Sequence, residues 1–174
     1  MVLPQIVLVS FGGFEKKFLN KLAVAIGAEV NATVLLKEEY IDLNVYFDPS
    51  RRQYNGDLLL KKVETMYPDD HKVIALFNVD LFIPILTYIF GQATLNGNYA
   101  VVSAYRLENE RYGLKADKTL FFQRVKKEIV HEWGHTLGLI HCNSPRCVMR
   151  SSTYVEDIDQ KNSQFCIHCF NQLQ

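Results

Sequence analysis

The run HEWGHTLGLIHC, at positions 131–142, constrains this chain more strongly than any other stretch. His131 and His135 are four residues apart, so on a helix both side chains project from one face and can bind one metal ion. Glu132 lies beside the first histidine, near enough to such a metal to handle a proton without being a ligand. The run therefore predicts a helical metal site with an adjacent carboxylate. A helix that merely carries surface histidines is the alternative.

The end of the same run supplies a third candidate ligand, His141. On a helix that continued past position 138, this side chain would point away from the metal. Gly138 can adopt the left-handed conformation that ends a helix, and the chain then swings His141 back to the site. Three histidines leave the fourth position of a tetrahedral zinc open for water. An open zinc site beside a carboxylate is the arrangement used in metal-assisted hydrolysis.

The spacing His-Glu-x-x-His-x-x-Gly-x-x-His resembles the signature of the metzincin zinc peptidases. It is followed by Cys-x4-Cys-x-Met over 142–149 and Cys-x-x-Cys over 166–169, and together these motifs look like those of the archaemetzincin family. The motifs cover under a quarter of the chain. The resemblance implies two zinc ions, one catalytic and one structural. The ligands would be His131, His135 and His141 for the first and Cys142, Cys147, Cys166 and Cys169 for the second.

The resemblance also implies a reaction, the hydrolysis of peptide bonds. A zinc-bound water would attack the substrate carbonyl, and Glu132 would act as general base, passing the proton to the leaving amine. Met149 stands where metzincins have a methionine beneath the zinc site, although a methionine that fills a core gap would look the same. Tyr154 follows soon after, and is either an oxyanion donor, as in some metzincins, or a solvent-facing loop residue.

The four cysteines fall in one short region, with the spacing of a closed structural zinc site. His168 lies inside the second pair, but four thiolates already complete a tetrahedron. His141 and Cys142 are adjacent, and neighbouring side chains of an extended segment point to opposite sides, so one short piece of backbone would bind two metals. Disulfides or a redox Cys-x-x-Cys are the alternatives.

Composition and charge narrow the classes of partner. The chain has 174 residues, 48% of them apolar, and a formal net charge of zero at pH 7. There is thus no electrostatic case for binding nucleic acid or an anionic membrane, and we expect a monomer that acts on peptides or proteins. The apolar first ten residues lack the basic start and cleavage site of a signal peptide, so a first strand fits better. Together with the clustered cysteines, this favours a cytoplasmic protein.

Strand and helix patterns alternate up to the metal motif, which predicts an α/β fold. We expect a metzincin-like twisted mixed sheet with packed helices, an active-site helix, and a small irregular C-terminal part held by zinc. A single domain over 1–174 would divide into subdomains at 1–138 and 139–174. The predicted strands cover 5–10, 30–36, 40–47, 73–77, 82–94 and 100–105; the predicted helices cover 14–27, 57–67 and 118–138, the last with Asp117 as N-cap, and Asn96-Gly97 is a predicted hairpin turn.

The expected function has two rivals. The first is a catalytically weak zinc protein that binds peptides in its cleft, and the presence of Glu132 weighs against it. The second is a redox or metal-handling protein that uses the cysteines, which thiols titratable without unfolding would favour. For the peptidase, the segment 86–94 is the candidate sheet edge along which a peptide could add as a strand; an internal strand with a bulge at Gly91 is the alternative.

Overall fold

The computed structural model describes residues 5–68 and 71–173. The strands of this part of the chain are β1 (Ile6–Ser10), β2 (Val34–Glu38), β3 (Phe47–Asp48), β4 (Gln53–Asn55), β5 (Lys72–Phe77), β6 (Leu81–Ile83), β7 (Leu86–Ile89), β8 (Gly91–Ala93) and β9 (Tyr99–Ser103). The α-helices are α1 (Lys16–Val30), α2 (Gly56–Met66), α3 (Lys118–Thr136), α4 (Val155–Gln160) and α5 (Ile167–Gln172). The first strand is confirmed, and residues 1–4 of the apolar start lie outside the described residues.

Five strands form the main sheet, in the order β2-β1-β5-β9-β8. β1 pairs in parallel with β2 and β5, and β5 pairs in parallel with β9. The edge strand β8 is antiparallel to β9, which confirms the hairpin predicted around Asn96. The central strands β1 and β5 are apolar and almost wholly buried because helices cover both faces of the sheet. The mixed α/β architecture is therefore confirmed.

A second, smaller sheet has the order β3-β4-β6-β7. The edge strand predicted over 82–94 is therefore divided: β6 and β7 belong to the small sheet, and β8 belongs to the main sheet. Pro84, between β6 and β7, lacks the N–H that a continuous ladder needs. Within the described chain, β7 and β8 each stand at the end of their sheet, so each leaves one side of its backbone unpaired.

Two apolar cores lie on opposite faces of the main sheet. Helices α1 and α3 cover one face, and α2 covers the other. β1 supplies Ile6 and Leu8 to the first core and Val7 and Val9 to the second, following the two-residue period of a strand. Trp133, fully buried in the first core, anchors the helix that carries the metal motif. Among the described residues, no helix is long and apolar enough to span a lipid bilayer.

The strand predicted over 40–47 is wrong. This segment forms a 3-10 helix at Leu43–Tyr46, followed by the two-residue strand β3. The carboxylate of Asp42 accepts the N–H of Asn44 at 3.0 Å and so starts a tight turn in place of an extended chain. The apolar alternation does not mark a buried face, since Val45 is 69% exposed.

Several helix bounds also differ from the prediction. Helix α1 continues through Gly27 to Val30, and Asn31 ends it in the left-handed conformation, with φ 51°. β2 consequently begins at Val34 rather than at position 30. The C-terminal part, predicted to be irregular, contains α4 and α5. Each is six residues long, too short for an apolar period to be read from the sequence.

Both ends of α3 are held by side chains. At the start, the carboxylate of Asp117 accepts two backbone N–H groups of the first turn, which confirms the predicted N-cap. At the other end, the ammonium of Lys72 on β5 donates to the carbonyl of Thr136 at 2.8 Å and to that of Gly97 at 2.6 Å. A cation at this position complements the negative end of the helix dipole. The helix is thereby fixed to the sheet at the end that carries the metal motif.

Candidate metal centres and active-site cleft

The structure brings the three predicted histidines together. His131 and His135 lie on α3, and the chain turns at Gly138, whose φ is +92°, to return His141 to the same point. One ring nitrogen of each histidine lies within 4.8 Å of the others. Glu132 follows His131 on the same helix. The predicted left-handed turn at Gly138 is therefore confirmed, although α3 itself ends at Thr136.

Backbone carbonyls orient two of the three rings. Nδ1 of His131 is 2.7 Å from the carbonyl oxygen of Val148, and Nδ1 of His135 is 2.7 Å from that of Leu139. A carbonyl can only accept, so each Nδ1 carries the proton and each Nε2 presents a lone pair. The two Nε2 atoms are 3.1 Å apart, and in the tautomer that these carbonyls select neither atom carries a proton. That separation fits two ligands of one zinc ion, each about 2 Å from it.

Burial favours the neutral form of these rings. It lowers the pKa of His131 well below the usual value, and the charge of Lys161 acts in the same direction. Burial likewise lowers the pKa values of His135 and His141. Neutral imidazole is the form that binds a metal, so the three rings are ready for a cation near neutral pH.

Glu132 is buried against strand β8. Its side chain packs on Gly91, where an added Cβ would lie 2.5 Å from Oε1 and 2.6 Å from Cγ. Oε2 is buried and accepts no hydrogen bond from the described part of the chain. Burial raises the pKa of Glu132 well above its usual value; Glu128 adds to the increase and Lys161 opposes it. A carboxyl group with a raised pKa, next to the histidines, suits acid–base chemistry.

Met149 is fully buried beneath the middle of the motif. A Cβ at Gly134 would overlap its Sδ, so the missing side chain of this glycine is what lets the methionine approach α3. The carbonyl of Met149 accepts the N–H of Cys142 at 3.0 Å, and the preceding carbonyl, that of Val148, orients His131. The motif pointed to Met149 but not to Val148, because a backbone acceptor leaves no mark in the side-chain pattern.

A cavity of about 730 Å³ opens beside the histidines. The edge strands β7 and β8 form one wall and the segment 151–154 forms the other, with α3 between them. The hydroxyl of Tyr88 donates to the carbonyl of Thr153 at 2.7 Å and so joins the two walls. Among the residues that the structure describes, Glu128 and Glu132 supply the carboxylates that line the cavity, and no lysine or arginine lines it. Tyr154 lies at the rim and is 64% exposed.

A buried ion pair next to the site was not predicted from the sequence. Nζ of Lys161 lies 3.1 Å from Oε1 of Glu128 and donates to the carbonyl of Arg150 at 3.1 Å. The two side chains are 0% and 3% exposed. Helical spacing places Glu128 on the face of His131 and Glu132, and this signal could have identified it. Lys161 directly follows α4, and its arrival here depends on the tertiary fold.

The four cysteines form a second cluster, with their sulfur atoms within 4.8 Å of one another. The Sγ atoms of Cys142 and Cys166 are 3.7 Å apart, as are those of Cys147 and Cys169. Thiolates about 2.3 Å from a zinc ion would be just under 4 Å from each other, so these distances fit one metal. A disulfide needs about 2 Å, and all four cysteines are free.

Local backbone groups surround the sulfur atoms. The N–H of Ser144 donates to Cys142 Sγ at 3.4 Å, and the N–H of Cys166 donates to Cys147 Sγ at 3.3 Å. The N–H of Cys169 lowers the pKa of the Cys166 thiol to about 7, whereas burial raises the pKa of Cys169. A cation would allow all four thiols to ionise together. The donor set therefore fits zinc.

The two clusters meet at adjacent residues, His141 and Cys142, as the alternation of an extended segment predicted. His168, inside the second Cys pair, belongs to neither cluster. Its side chain is exposed and contacts Gln172, with 2.8 Å between the two Nε2 atoms.

Comparisons with known proteins identify the family of this chain. The sequence model of Peptidase family M54 matches residues 20–174. A curated archaemetzincin of Methanocaldococcus jannaschii is 40% identical over 135 residues, which are 77% of this chain and 74% of the relative. The crystal structure of an archaemetzincin from Archaeoglobus fulgidus, complexed with malonate, has a TM-score of 0.82 at 33% identity and covers 97% of this chain and 99% of its own.

A zinc-dependent peptidase from Methanocorpusculum labreanum has a TM-score of 0.87 at 28% identity, over 97% of this chain and the whole of that protein. The likeness thus extends over nearly the entire fold and is not confined to the motifs. The chain belongs to peptidase family M54, the archaemetzincins, and is a zinc metallopeptidase.

Proposed function

We propose that this metallopeptidase cleaves peptide bonds by attack of water, with Glu132 as general base and with His131, His135 and His141 as ligands of the catalytic zinc. One observation carries the proposal. Two unprotonated Nε2 atoms lie 3.1 Å apart on the helix of Glu132, whose buried Oε2 accepts no hydrogen bond from the described residues. Such an arrangement is costly unless a cation and a proton donor complete it.

The histidines, Glu132 and two backbone carbonyls have different roles in the proposed reaction. The three histidines would hold zinc, which would supply Lewis-acid chemistry that makes water more acidic and polarises a carbonyl. Glu132 accepts the proton of the attacking water at its carboxylate and returns it to the nitrogen of the leaving amine. The carbonyls of Val148 and Leu139 keep the rings of His131 and His135 in the tautomer that binds metal.

The substrate lies along the edge strands β7 and β8 in this proposal. Each of these strands is the last in its sheet, and both line the cavity beside the histidines. Unpaired backbone N–H and C=O groups at such an edge can bind an extended peptide as an added strand, without needing particular side chains. The peptide carbonyl would then face the histidines and Glu132.

A structural zinc on Cys142, Cys147, Cys166 and Cys169 completes the proposal, giving two zinc ions per chain. The sulfur separations of 3.7 Å support it. The chain would thus be one domain, in which residues 1–138 form the sheet and helix subdomain and residues 139–174 form a C-terminal subdomain held by this zinc. Four free cysteines suit a reducing compartment, so we place the protein in the cytoplasm. We also propose that it is a monomer without nucleic-acid or membrane partners.

The test is cleavage of a diverse peptide mixture by the zinc-loaded protein, followed by mass spectrometry, beside Glu132→Ala. Zinc content is measured for both proteins. We expect cleavage by the unmutated protein alone, because Glu132→Ala removes the base and leaves all the proposed ligands in place. His135→Ala should lose both the catalytic zinc and the activity.

Two outcomes would contradict the proposal. Undiminished cleavage by zinc-loaded Glu132→Ala would eliminate the general-base role. Absence of cleavage by either protein, with two zinc ions per chain confirmed, would favour a zinc protein that binds peptides in its cleft.

A further inference from the structure

The cavity beside the histidines combines an apolar rim with an acidic interior. Leu86, Leu95 and Ile140 line it and are 49%, 54% and 65% exposed. Its interior holds two nearly buried carboxylates, Glu128 and Glu132, and no lysine or arginine of residues 5–68 and 71–173 lines it. An apolar rim around an acidic interior complements a group with an apolar stem and a positive head.

Glu128 is the carboxylate that the proposed reaction does not use. It lies one helical turn before His131 and Glu132, about 5 Å along α3, and so borders the cavity away from the proposed reacting carbonyl. Its side chain is 3% exposed and still lines the cavity. Its Oε1 is buried and accepts no hydrogen bond from the described residues, although Nζ of Lys161 lies 3.1 Å away.

Lys161 does not use up the binding capacity of Glu128. Its ammonium is fully buried, donates to the carbonyl of Arg150, and does not line the cavity. A carboxylate offers about four acceptor positions, of which one lysine takes at most a part. Lys161, which does not line the cavity, therefore compensates the buried charge of Glu128. The Glu128 carboxylate itself still borders the cavity and can bind a second cation there.

We propose that Glu128 binds a positively charged nitrogen of the peptide substrate and so determines specificity. Lysine and arginine side chains and a free amino terminus share this chemistry. The inference rests on the proposed function, because it takes the cavity to be the peptide-binding cleft. A charge-assisted hydrogen bond in such a site improves binding about tenfold or more over a neutral group of the same shape.

The experiment measures peptide binding by calorimetry to zinc-loaded Glu132→Ala, in which substrate is not consumed. One arm compares acetylated and amidated peptides that differ only in lysine against norleucine, or arginine against citrulline. The other arm compares a neutral peptide with a free amino terminus against its acetylated form. We expect at least one cationic member to bind about tenfold more tightly than its neutral partner, and the arm that shows this identifies the source of the charge.

Two further variants test the residue itself. Glu128→Gln keeps the shape and removes the charge, and Glu128→Gln/Lys161→Met also avoids an unpaired buried ammonium that could prevent folding. In both variants, the ratio of the affinity for the cationic peptide to that for its neutral partner should fall towards one. The control variant Glu110→Gln, at an exposed position of the 3-10 helix Asn109–Tyr112, should retain the preference for the cationic peptide.

Equal binding of cationic and neutral peptides by the Glu132→Ala parent would overturn the inference, as would a preference that persists in both Glu128 variants. A preference that depends on Glu128, in a protein whose unmutated form cleaves no peptide, would support the inference while the proposed hydrolysis alone failed.

Discussion

Gly91 and Glu132 share a space that cannot hold both a Cβ and the carboxylate: the added atom would lie 2.5 Å from Oε1. Gly91 opens the edge strand β8, along which we propose that the peptide lies, and Glu132 is the proposed base. The strand that we propose receives substrate thus also sets the position of the proposed base. Neither residue has positive φ, so the constraint is one of space alone.

The substitution Gly91→Ala should therefore displace Glu132. We expect activity to fall at least tenfold with zinc content unchanged, and stability to fall by about 1–3 kcal/mol, as in other overpacked sites. The measurements are kcat/KM and urea unfolding. In the Glu132→Ala background the same alanine should cost little stability, because the overlapping atoms are gone. An equal loss of stability in both backgrounds would show that Gly91→Ala acts on strand β8 itself and not through Glu132.

The metal-free protein should lose stability on the acid side of neutrality. Burial lowers the folded-state pKa values of His131, His135 and His141 from the ordinary 6.5, so below that pH the unfolded chain binds more protons than the folded one. The stabilisation by these neutral histidines is present above about pH 6.5 and disappears as the pH falls through their folded-state pKa values. Glu132 has the opposite sign: its pKa is raised, so its contribution is lost as the pH rises through the folded-state value.

The check is thermal unfolding of chelator-treated protein between about pH 7.5 and about pH 5. His131→Phe, which replaces the most buried of the three rings, should reduce the pH dependence of Tm, whereas replacement of the exposed His168 by Asn should not. An unchanged slope in His131→Phe would remove this histidine from the explanation.

Loss of the cysteine metal should weaken the histidine site. His141 and Cys142 are adjacent, and the N–H of Cys142 bonds to the carbonyl of Met149 at 3.0 Å, so both clusters share one short backbone segment. We expect Cys166→Ser/Cys169→Ser to bind the catalytic zinc about tenfold less tightly or worse, because the third histidine is no longer held. Competition with a zinc chelator measures the affinity. Ser163→Ala, close in sequence but outside both clusters, is the control, and an unchanged affinity in the double variant would show that the sites are independent.

Lys72 should contribute to both stability and site geometry. Its ammonium binds the carbonyl of Thr136 at the end of α3, one residue after His135, and the carbonyl of Gly97. Lys72→Met removes these bonds and the favourable charge at the helix end, which should cost about 1–2 kcal/mol. Lys61→Met on the exposed face of α2 provides the comparison, by urea unfolding and zinc affinity together. A loss of stability without a loss of zinc affinity would show that the Lys72 cap does not influence the metal site.

The local pattern of the sequence determined the chemistry of the site in advance. Fixed spacing on a helix placed His131 and His135 on one face, and a glycine at 138 made the return of His141 sterically possible. Asp117 was recognisable as a cap for the same reason: its side chain acts on backbone groups two and three residues away. Interactions of this kind are local, so the sequence alone encodes them.

Only the tertiary structure decided what surrounds that site. Lys161 meets Glu128 across 33 residues of sequence, and Gly91 meets Glu132 from another sheet edge. The segment 40–47 alternates like a strand, yet most of it forms a turn and a 3-10 helix that Asp42 caps, and pairing with β4 begins only at Phe47. Burial and pairing depend on which distant elements pack together, and packing, unlike spacing along a helix, is a property of the whole chain.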